Sequence, residues 1–255
     1  MSADPHSPDA TPAFPLAPPP FDGDCRVVPA AAAIEWLRFG WELFSRAPGA
    51  WALMALVFLV LTLAVTMVPV AGALASHLLL PLLAAGVLQA VRRQEEGGAV
   101  EVGDLFVGFS RETTGLLLVG LFYMLGWFAI LAIGMLIGGG SLIGGAAAGS
   151  AGGLGVAIAG VLVAILISLA LAVPLFMAFW FAPALVYFNH MAPVAALKAS
   201  FHACLKNFLA FSVFGLIIGL LFFIAALPMG LGFLVLLPVS FAGLYASYRD
   251  VFPSA

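Results

Sequence analysis

The chain has 255 residues, of which 64% are hydrophobic and only 8% are charged, with a net charge of −3 at neutral pH. Soluble globular domains carry about 25% charged residues, so this composition excludes that class. The nine basic and twelve acidic residues form four patches, separated by the uncharged stretches 47–91, 113–197 and 207–248. Because lipid excludes ionised side chains and requires internally satisfied backbone groups, this segregation predicts an all-α, polytopic integral membrane protein.

The amino-terminal part of the chain, 1–28, is compositionally distinct. It contains seven prolines and four aspartates but few large apolar residues. This composition favours a disordered, polyproline-rich cytoplasmic tail that acts as a spacer, although such tails also bind SH3-like partners. The segment lacks the basic start of a signal peptide. We therefore predict a tail over 1–28 and a membrane domain over 29–255.

The three uncharged stretches predict six transmembrane helices. The first stretch divides at Pro69 and the third near Pro228, so each is expected to form a helical hairpin. The middle stretch contains two long apolar runs around the Gly/Ala/Ser segment 138–155, which we expect to be a loop because Gly is a poor helix former. The predicted spans are 51–68, 70–91, 115–137, 160–188, 208–227 and 229–248.

The basic residues predict the orientation in the membrane. With six spans, all nine Lys and Arg residues lie on one side, and the loops on the other side have none. The positive-inside rule then places the amino and carboxyl termini in the cytoplasm. We expect a multi-pass protein of the bacterial inner membrane.

A short amphipathic segment with the pattern Leu-x-x-(Gly/Ser)-aromatic precedes each predicted hairpin. Such helices lie in the headgroup plane, with their apolar side chains in the acyl boundary. Membrane lipids are therefore expected partners. The predicted interfacial anchors are Leu37 and Trp41 in the first segment, Leu105 and Phe109 in the second, and Leu197 and Phe201 in the third.

The hairpins also contain a repeat. The pattern Leu-Leu-Pro-x-x-x-Ala-Gly-x-x-x-x-x-Arg occurs over Leu79–Arg92 and again over Leu236–Arg249, while the middle hairpin retains only Pro183. This repetition predicts three tandem units, each an interfacial helix plus a hairpin, around an axis along the membrane normal. The alternative is chance similarity between sequences rich in Leu and small residues.

Few polar residues lie inside the predicted spans. His77 is either a proton or ligand site or a neutral side chain bonded across helices, and Gln89 is the second candidate at a span's inner end. Pro81, Pro183 and Pro238 are expected to kink their helices. The sequence shows no nucleophile–base pair, metal-ligand spacing or phosphate loop, so we expect no catalytic residue, cofactor or metal.

Two glycine patterns permit close helix approach. These are Gly134-x-x-x-Gly138 in the third span and Gly215-x-x-x-Gly219 in the fifth. Packing within the chain is the expected role for both. Contact between copies in a homo-oligomer is the alternative.

One central segment carries a resemblance to known proteins. It contains Phe181-Ala182-Pro183-Ala184, followed by the run Ala196-Leu197-Lys198-x-Ser200-Phe201. Together with Gly40-Trp41-x-Leu43-Phe44 and Leu105-Phe106-x-Gly108-Phe109, it resembles an uncharacterised family of proteobacterial six-span inner-membrane proteins. The resemblance covers about 29–250 and implies a bacterial inner membrane with no assigned activity.

Two functional hypotheses remain. The first is a non-enzymatic membrane protein that acts through lipid or protein contacts at its cytoplasmic face, with no nucleic-acid partner. The second is a permease or channel for an apolar or weakly polar solute, with a cavity near His77 and the three prolines. An intramembrane enzyme is disfavoured because the spans provide one His and scattered hydroxyls.

Overall fold

The fold is seen in a computed structural model that describes residues 21, 23–149 and 151–253. Within these residues every regular element is a helix, which confirms the all-α prediction. The elements are α1 (Ala32–Arg46), α2 (Pro48–Thr66), α3 (Ala71–Glu95), a 3₁₀ helix (Val102–Phe109), α4 (Thr113–Ala148), α5 (Ala151–Trp180), α6 (Ala182–Asn189), α7 (Pro193–Lys206), α8 (Phe208–Ala226) and α9 (Phe233–Val251). Of the tail predicted over 1–28, residues 1–20 and 22 lie outside the described residues.

Five of the described helical segments are long and apolar enough to cross a bilayer. They are α2, α3, α4, the segment Gly152–Asn189 and α8. The sixth predicted span, 229–248, corresponds to α9, which is not among the five although it has 19 residues. Its last two turns contain Tyr245, Tyr248 and Arg249, and these residues lower its mean hydropathy.

The Gly/Ala/Ser segment 138–155 is helical over 138–148 and 151–155, so the prediction of a loop through the whole segment is wrong. Helix α4 continues to Ala148 and α5 begins at Ala151. Small residues let the two backbones approach closely: an ideal Cβ on Gly145 would lie 2.3 Å from the carbonyl oxygen of Gly153. This packing, and the absence of water in lipid, outweigh the helix penalty of about 1 kcal/mol per glycine.

The α4–α5 hairpin is longer than a bilayer requires. With 36 residues, α4 spans about 54 Å at 1.5 Å per residue, whereas the hydrocarbon core is about 30 Å thick. The helices α2 and α8 have 19 residues each and match that thickness. The tip of this hairpin therefore extends past the opposite ends of the shorter helices, or the hairpin tilts.

All four charged patches meet at one end of the bundle. Three contacts join them, although patches far apart in sequence are involved. They are Arg26 with Asp250, Arg249 with Glu95, and the Lys206 ammonium with the carbonyl oxygen of Cys25. Exposed ion pairs of this kind contribute at most about 1 kcal/mol each, so their value here is that they locate the patches.

The segment 23–28, predicted as part of the disordered tail, is instead packed against the bundle. The backbone N–H of Arg26 donates to the carbonyl oxygen of Val251 at 2.9 Å. The buried N–H of Val28 donates to Oδ1 of Asn207 at 2.7 Å, and the Asn207 amide donates back to the Arg26 carbonyl at 3.0 Å. The disorder prediction is therefore wrong for this segment, because Asn207 provides its backbone with partners.

Each amphipathic segment packs against a long helix of another hairpin. Helix α1 crosses α9, and the 3₁₀ helix crosses α3. A small residue stands at both crossings: an ideal Cβ on Gly40 would lie 2.4 Å from the carbonyl oxygen of Val239, and one on Gly108 would lie 2.4 Å from that of Leu82. Val239 and Leu82 each follow the proline of the repeated pattern.

Helix α7 makes the third crossing, at the junction of α5 and α6. The Ser200 hydroxyl donates to the carbonyl oxygen of Met177 at 2.7 Å and accepts from the backbone N–H of Phe181 at 2.9 Å. The helix is interrupted at Phe181, and the buried Ser200 fills the gap with hydrogen bonds. The small residue of Leu-x-x-(Gly/Ser)-aromatic thus faces a neighbouring helix in all three segments.

The predicted kink prolines are all buried. Pro81 lies inside α3 and Pro238 inside α9. Pro183 lies in the first turn of α6, where its missing N–H costs no hydrogen bond, so the interruption precedes it at Phe181.

The two glycine patterns differ: Gly138 faces Ala164 of α5, but a Cβ on Gly215 or Gly219 would meet nothing within 4 Å. The expectation of packing within the chain is wrong for that second pair.

Candidate functional site at the charged end

The aromatic anchors of the amphipathic segments point outward. Trp41 is 55% exposed and Phe109 is 45% exposed, while Phe201 is half-buried. Leu37 and Leu197 are also half-buried. These five side chains remain at least partly on the surface, beside the charged patches.

Leu105 differs from the other predicted anchors because it is fully buried. The 3₁₀ helix presses it against α3, where an ideal Cβ on Gly86 would lie 2.3 Å from the Leu105 carbonyl oxygen. Leu105 therefore cannot contact lipid, and that part of the prediction is wrong. The sequence treats the segment as a free interfacial helix, whereas tertiary packing covers this side.

Helix α1 has two apolar faces. Its buried face includes Trp36, Gly40 and Leu43, and it packs against the bundle. Ile34 and Trp41 lie on another face and are exposed. Helix α7 repeats this division, with an inner face of small residues and exposed Val194 and Leu205. The outer stripes are the surfaces of these helices that remain free for other contacts.

His77 lines a cavity of about 280 Å³ between α2, α3 and α4. Its Nδ1 lies 2.7 Å from the carbonyl oxygen of Ala73, one turn earlier in the same helix, so this nitrogen donates there. Its ring lies 5.9 Å from that of Tyr123. The residues that line the cavity include none of the prolines 81, 183 and 238, so His77 and the kinks do not share a site.

Gln89 lines a second, polar pocket of about 320 Å³ at the charged end of the bundle. This pocket lies between the end of α3, the start of α4 and the end of α6. Its lining residues are Gln89, Arg92, Arg111, Glu112, Tyr187, Phe188 and His190. Two guanidinium groups, a carboxylate, an imidazole and a phenol thus come together in this pocket.

Two pocket residues have left-handed backbones. Glu112 precedes α4 with φ of 54°, and His190 follows α6 with φ of 54°. Side chains rarely adopt this conformation because it brings Cβ close to the backbone. Nδ1 of His190 lies 2.8 Å from Oε1 of Glu112, which joins the two helix ends across 78 positions of sequence.

Arg92 and Tyr187, which also line the pocket, differ in whether their polar atoms are hydrogen-bonded. Nε of Arg92 donates to Oε1 of Glu96 at 2.9 Å, and its guanidinium stacks over the Phe188 ring at 5.4 Å. Tyr187 is only 6% exposed, and its buried hydroxyl has no hydrogen-bond partner. The guanidinium of Arg111 lies close enough to interact with that hydroxyl by charge and as a weak donor, but the contact does not meet strict hydrogen-bond geometry.

A probable inner membrane protein of Burkholderia thailandensis is 34% identical over 249 residues, which cover 88% of this chain and 92% of that protein. The chain belongs to the same family. No protein-family model and no solved structure matches it. The relationship and the apolar helices together make this a multi-pass protein of the inner membrane.

One buried carboxylate of this inner-membrane protein was not among the predicted site residues. Asp104, in the 3₁₀ helix, is buried, and its Oδ1 lies 3.3 Å from Nη1 of Arg93. Burial raises the pKa of Asp104, and the Arg93 charge partly offsets this rise. The signal in the sequence is a single acid within the apolar run 102–109. In the described chain no three His, Cys, Asp or Glu residues converge as a metal site.

The pocket as a whole was also beyond sequence reasoning. Gln89 was a candidate because it is a polar residue in a span, but nothing local connects it with Tyr187 or His190. Only the pattern of charges near the helix ends suggests this region. The structure brings these residues together from three separate segments.

Proposed function

We propose that this protein crosses the inner membrane six times and acts, without catalysing a reaction, through lipid or protein contacts at the charged end of its bundle. That end faces the cytoplasm in this proposal, in keeping with the positive-inside rule. The observation that carries the proposal is the gathering of the four charged patches, joined by Arg26–Asp250 and Arg249–Glu95. If α9 did not cross the bilayer, Arg249 would lie at the opposite end of the bundle from Glu95 of α3, and this ion pair could not form.

The cyclic packing of the amphipathic segments supports three tandem units. The segment of the first unit crosses α9 of the third, that of the second crosses α3 of the first, and that of the third crosses α5 and α6 of the second. A small residue stands at each crossing, at Gly40, Gly108 and Ser200. One repeated contact placed three times around an axis accounts for this arrangement more simply than chance similarity.

The outward stripes of α1 and α7 support contact with lipid at the same end. Trp41 and Val194 are exposed, and each helix also carries basic residues such as Arg38 or Lys198. Aromatic and basic side chains together favour the headgroup region. The exposed apolar and basic side chains of α1 and α7 thus lie where the membrane meets the cytoplasm in this proposal.

A reporter fusion tests the topology. A fluorescent protein that folds only in the cytoplasm should fluoresce when attached after Ala255, because six crossings return the carboxyl terminus to the side of Arg92 and Arg93. A periplasmic phosphatase at the same point should be inactive. An active phosphatase fusion would mean five crossings and would refute the proposed topology.

Reconstitution tests the proposed absence of catalysis and transport. Purified protein in liposomes should neither hydrolyse added phosphate esters nor release entrapped solutes faster than empty liposomes. Loss of Trp41 and Phe109 to Ala should instead weaken its association with anionic lipid. Reproducible hydrolysis or transport of a defined solute would refute the proposal.

One observation favours a permease as a second candidate. An apolar groove of about 600 Å³ lies between α5 and α8, with Trp180, Phe211 and Phe222 among its lining residues. A groove of this size suits an apolar solute or an acyl chain. Replacing the exposed Gly215, which lines the groove, with Trp should then slow uptake of such a solute into liposomes. Unchanged uptake would refute this candidate.

A further inference from the structure

The polar pocket at the charged end is lined by two guanidinium groups, those of Arg92 and Arg111, and by one carboxylate, that of Glu112. Arg92 is also paired with Glu96, which does not line the pocket, so Arg111 is the lining guanidinium that is not in an ion pair with a carboxylate of the described residues. The Glu112 carboxylate is already in contact with His190 at 2.8 Å. Guanidinium groups bind phosphate strongly, because their planar N–H donors match its oxygens. The pocket is therefore suited to an anion.

A buried donor without a partner points to the same conclusion. The Tyr187 hydroxyl is inaccessible to solvent in the described chain, and its O–H has no acceptor, because the neighbouring Arg111 guanidinium can only donate. A buried polar group without a partner costs about 1–3 kcal/mol. Tyr187 lines the pocket but its hydroxyl is covered, so an oxygen of a bound anion becomes its acceptor when a neighbouring side chain such as the exposed Arg111 moves aside. Gln89 provides a further amide donor at the same wall.

The pocket is also built from an unusual backbone. Glu112 and His190 are two of the four non-glycine residues with left-handed φ in the described chain, and they contact each other here. Strained backbones of this kind cluster at functional sites. With about 320 Å³, the pocket has room for about ten waters at ~30 Å³ each, and so for a phosphate group.

From this geometry we infer that the pocket formed by Gln89, Arg92, Arg111 and Tyr187 binds a phosphate group. Arg111 compensates its charge, Arg92 adds guanidinium N–H donors beside its pair with Glu96, and Tyr187 and Gln89 donate hydrogen bonds. The inference rests on the proposed function, because it names the ligand class at the charged end. At this depth the phosphate belongs either to an anionic lipid headgroup or to a soluble phosphate, and basic pockets between transmembrane helices recognise such groups.

Binding to two probes tests the inference. The full-length protein in detergent is titrated with short-chain phosphatidylglycerol, followed by native mass spectrometry, and with inorganic phosphate, followed by calorimetry. Arg111→Gln removes an exposed charge, and Tyr187→Phe removes only the hydroxyl. Each variant should weaken binding by about tenfold, which corresponds to about 1.4 kcal/mol. The thermal stability of ligand-free Tyr187→Phe should not fall, since the lost O–H has no acceptor.

Arg38→Gln is the matched control. Arg38 is an exposed arginine of α1 that pairs with Glu35 at 3.2 Å and does not line the pocket. Its loss should change the dissociation constant by less than about twofold. If Arg38→Gln weakens binding as much as Arg111→Gln, general surface charge explains the binding and the inference is refuted.

The two probes distinguish the source of the phosphate. Binding of phosphatidylglycerol alone identifies a lipid headgroup, and binding of inorganic phosphate alone identifies a soluble ligand. Binding of neither probe, or equal binding by wild type, Arg111→Gln and Tyr187→Phe, refutes the pocket. The proposed function stands or falls separately, because the fusion and transport measurements do not depend on phosphate.

Discussion

Replacing Gly86 should destabilise the fold, because α3 and the 3₁₀ helix are in backbone contact there. An ideal Cβ on Gly86 would lie 2.3 Å from the carbonyl oxygen, 2.5 Å from the carbonyl carbon and 2.6 Å from the Cα of Leu105. All three atoms belong to the backbone, so no side-chain rotation relieves the overlap. Gly86→Ala must therefore displace the 3₁₀ helix.

The size of the effect follows from this geometry. Ordinary contact between carbon and oxygen is about 3.3 Å or more, so the 3₁₀ helix must move by about 1 Å. Overpacking of this kind costs about 1–3 kcal/mol. Alanine also stabilises a helix by about 0.5–1 kcal/mol relative to glycine. The gain in helix propensity opposes the cost of overpacking, so the stability change of Gly86→Ala alone underestimates the energetic cost of the overlap.

Gly215→Ala is the matched control, because Gly215 is also inside a helix but a Cβ there meets nothing within 4 Å. Both variants gain the same helix propensity, so the difference between them isolates the overlap at about 1–3 kcal/mol. Thermal unfolding in detergent, followed by circular dichroism, measures this difference. If Gly86→Ala is as stable as Gly215→Ala, the close packing of the 3₁₀ helix on α3 is incorrect.

Three further predictions concern buried polar groups at the charged end. Asn207→Ala should lower the free energy of unfolding by about 1–3 kcal/mol, because the buried N–H of Val28 loses its acceptor; unchanged thermal unfolding would contradict this. Burial raises the pKa of the Cys204 thiol from 9.0 to about 12. A maleimide at neutral pH should therefore label Cys25 well before the buried Cys204, and equal labelling rates would show that Cys204 is accessible. The raised pKa of Asp104 means that its protonated form is favoured in the folded state, so stability should fall as pH rises from about 3.8 through the folded pKa. Asp104→Asn should remove that slope, and an identical pH dependence in both proteins would exclude Asp104 as its source.

The sequence predicted the broad class of the fold because lipid imposes it directly. Uncharged stretches of helix length admit few structures other than membrane helices, and five of the described segments qualify. It failed at 138–155, because glycine propensities describe helices in water. Close packing between Gly145 and Gly153 depends on two segments together, so the helix propensity of either segment alone cannot predict it.

The candidate site was likewise predictable from the sequence only in part. Gln89 could be proposed from its position in an apolar run, and the repeated small residue before each aromatic could be recognised as a pattern. That pattern does not say that Gly40 and Gly108 face other helices, or that Leu105 is covered. An amphipathic period identifies an apolar face but not whether protein or lipid covers it.

Segregation of charge was available from the chain alone, since the cost of an ion in lipid acts on every residue independently of its neighbours. The polar pocket came only with the folded arrangement. Glu112 and His190 meet across 78 positions, and the unpartnered Tyr187 hydroxyl is a property of the packed state. Solvation depends on each side chain by itself, whereas hydrogen bonding and burial depend on which distant residues the fold brings together.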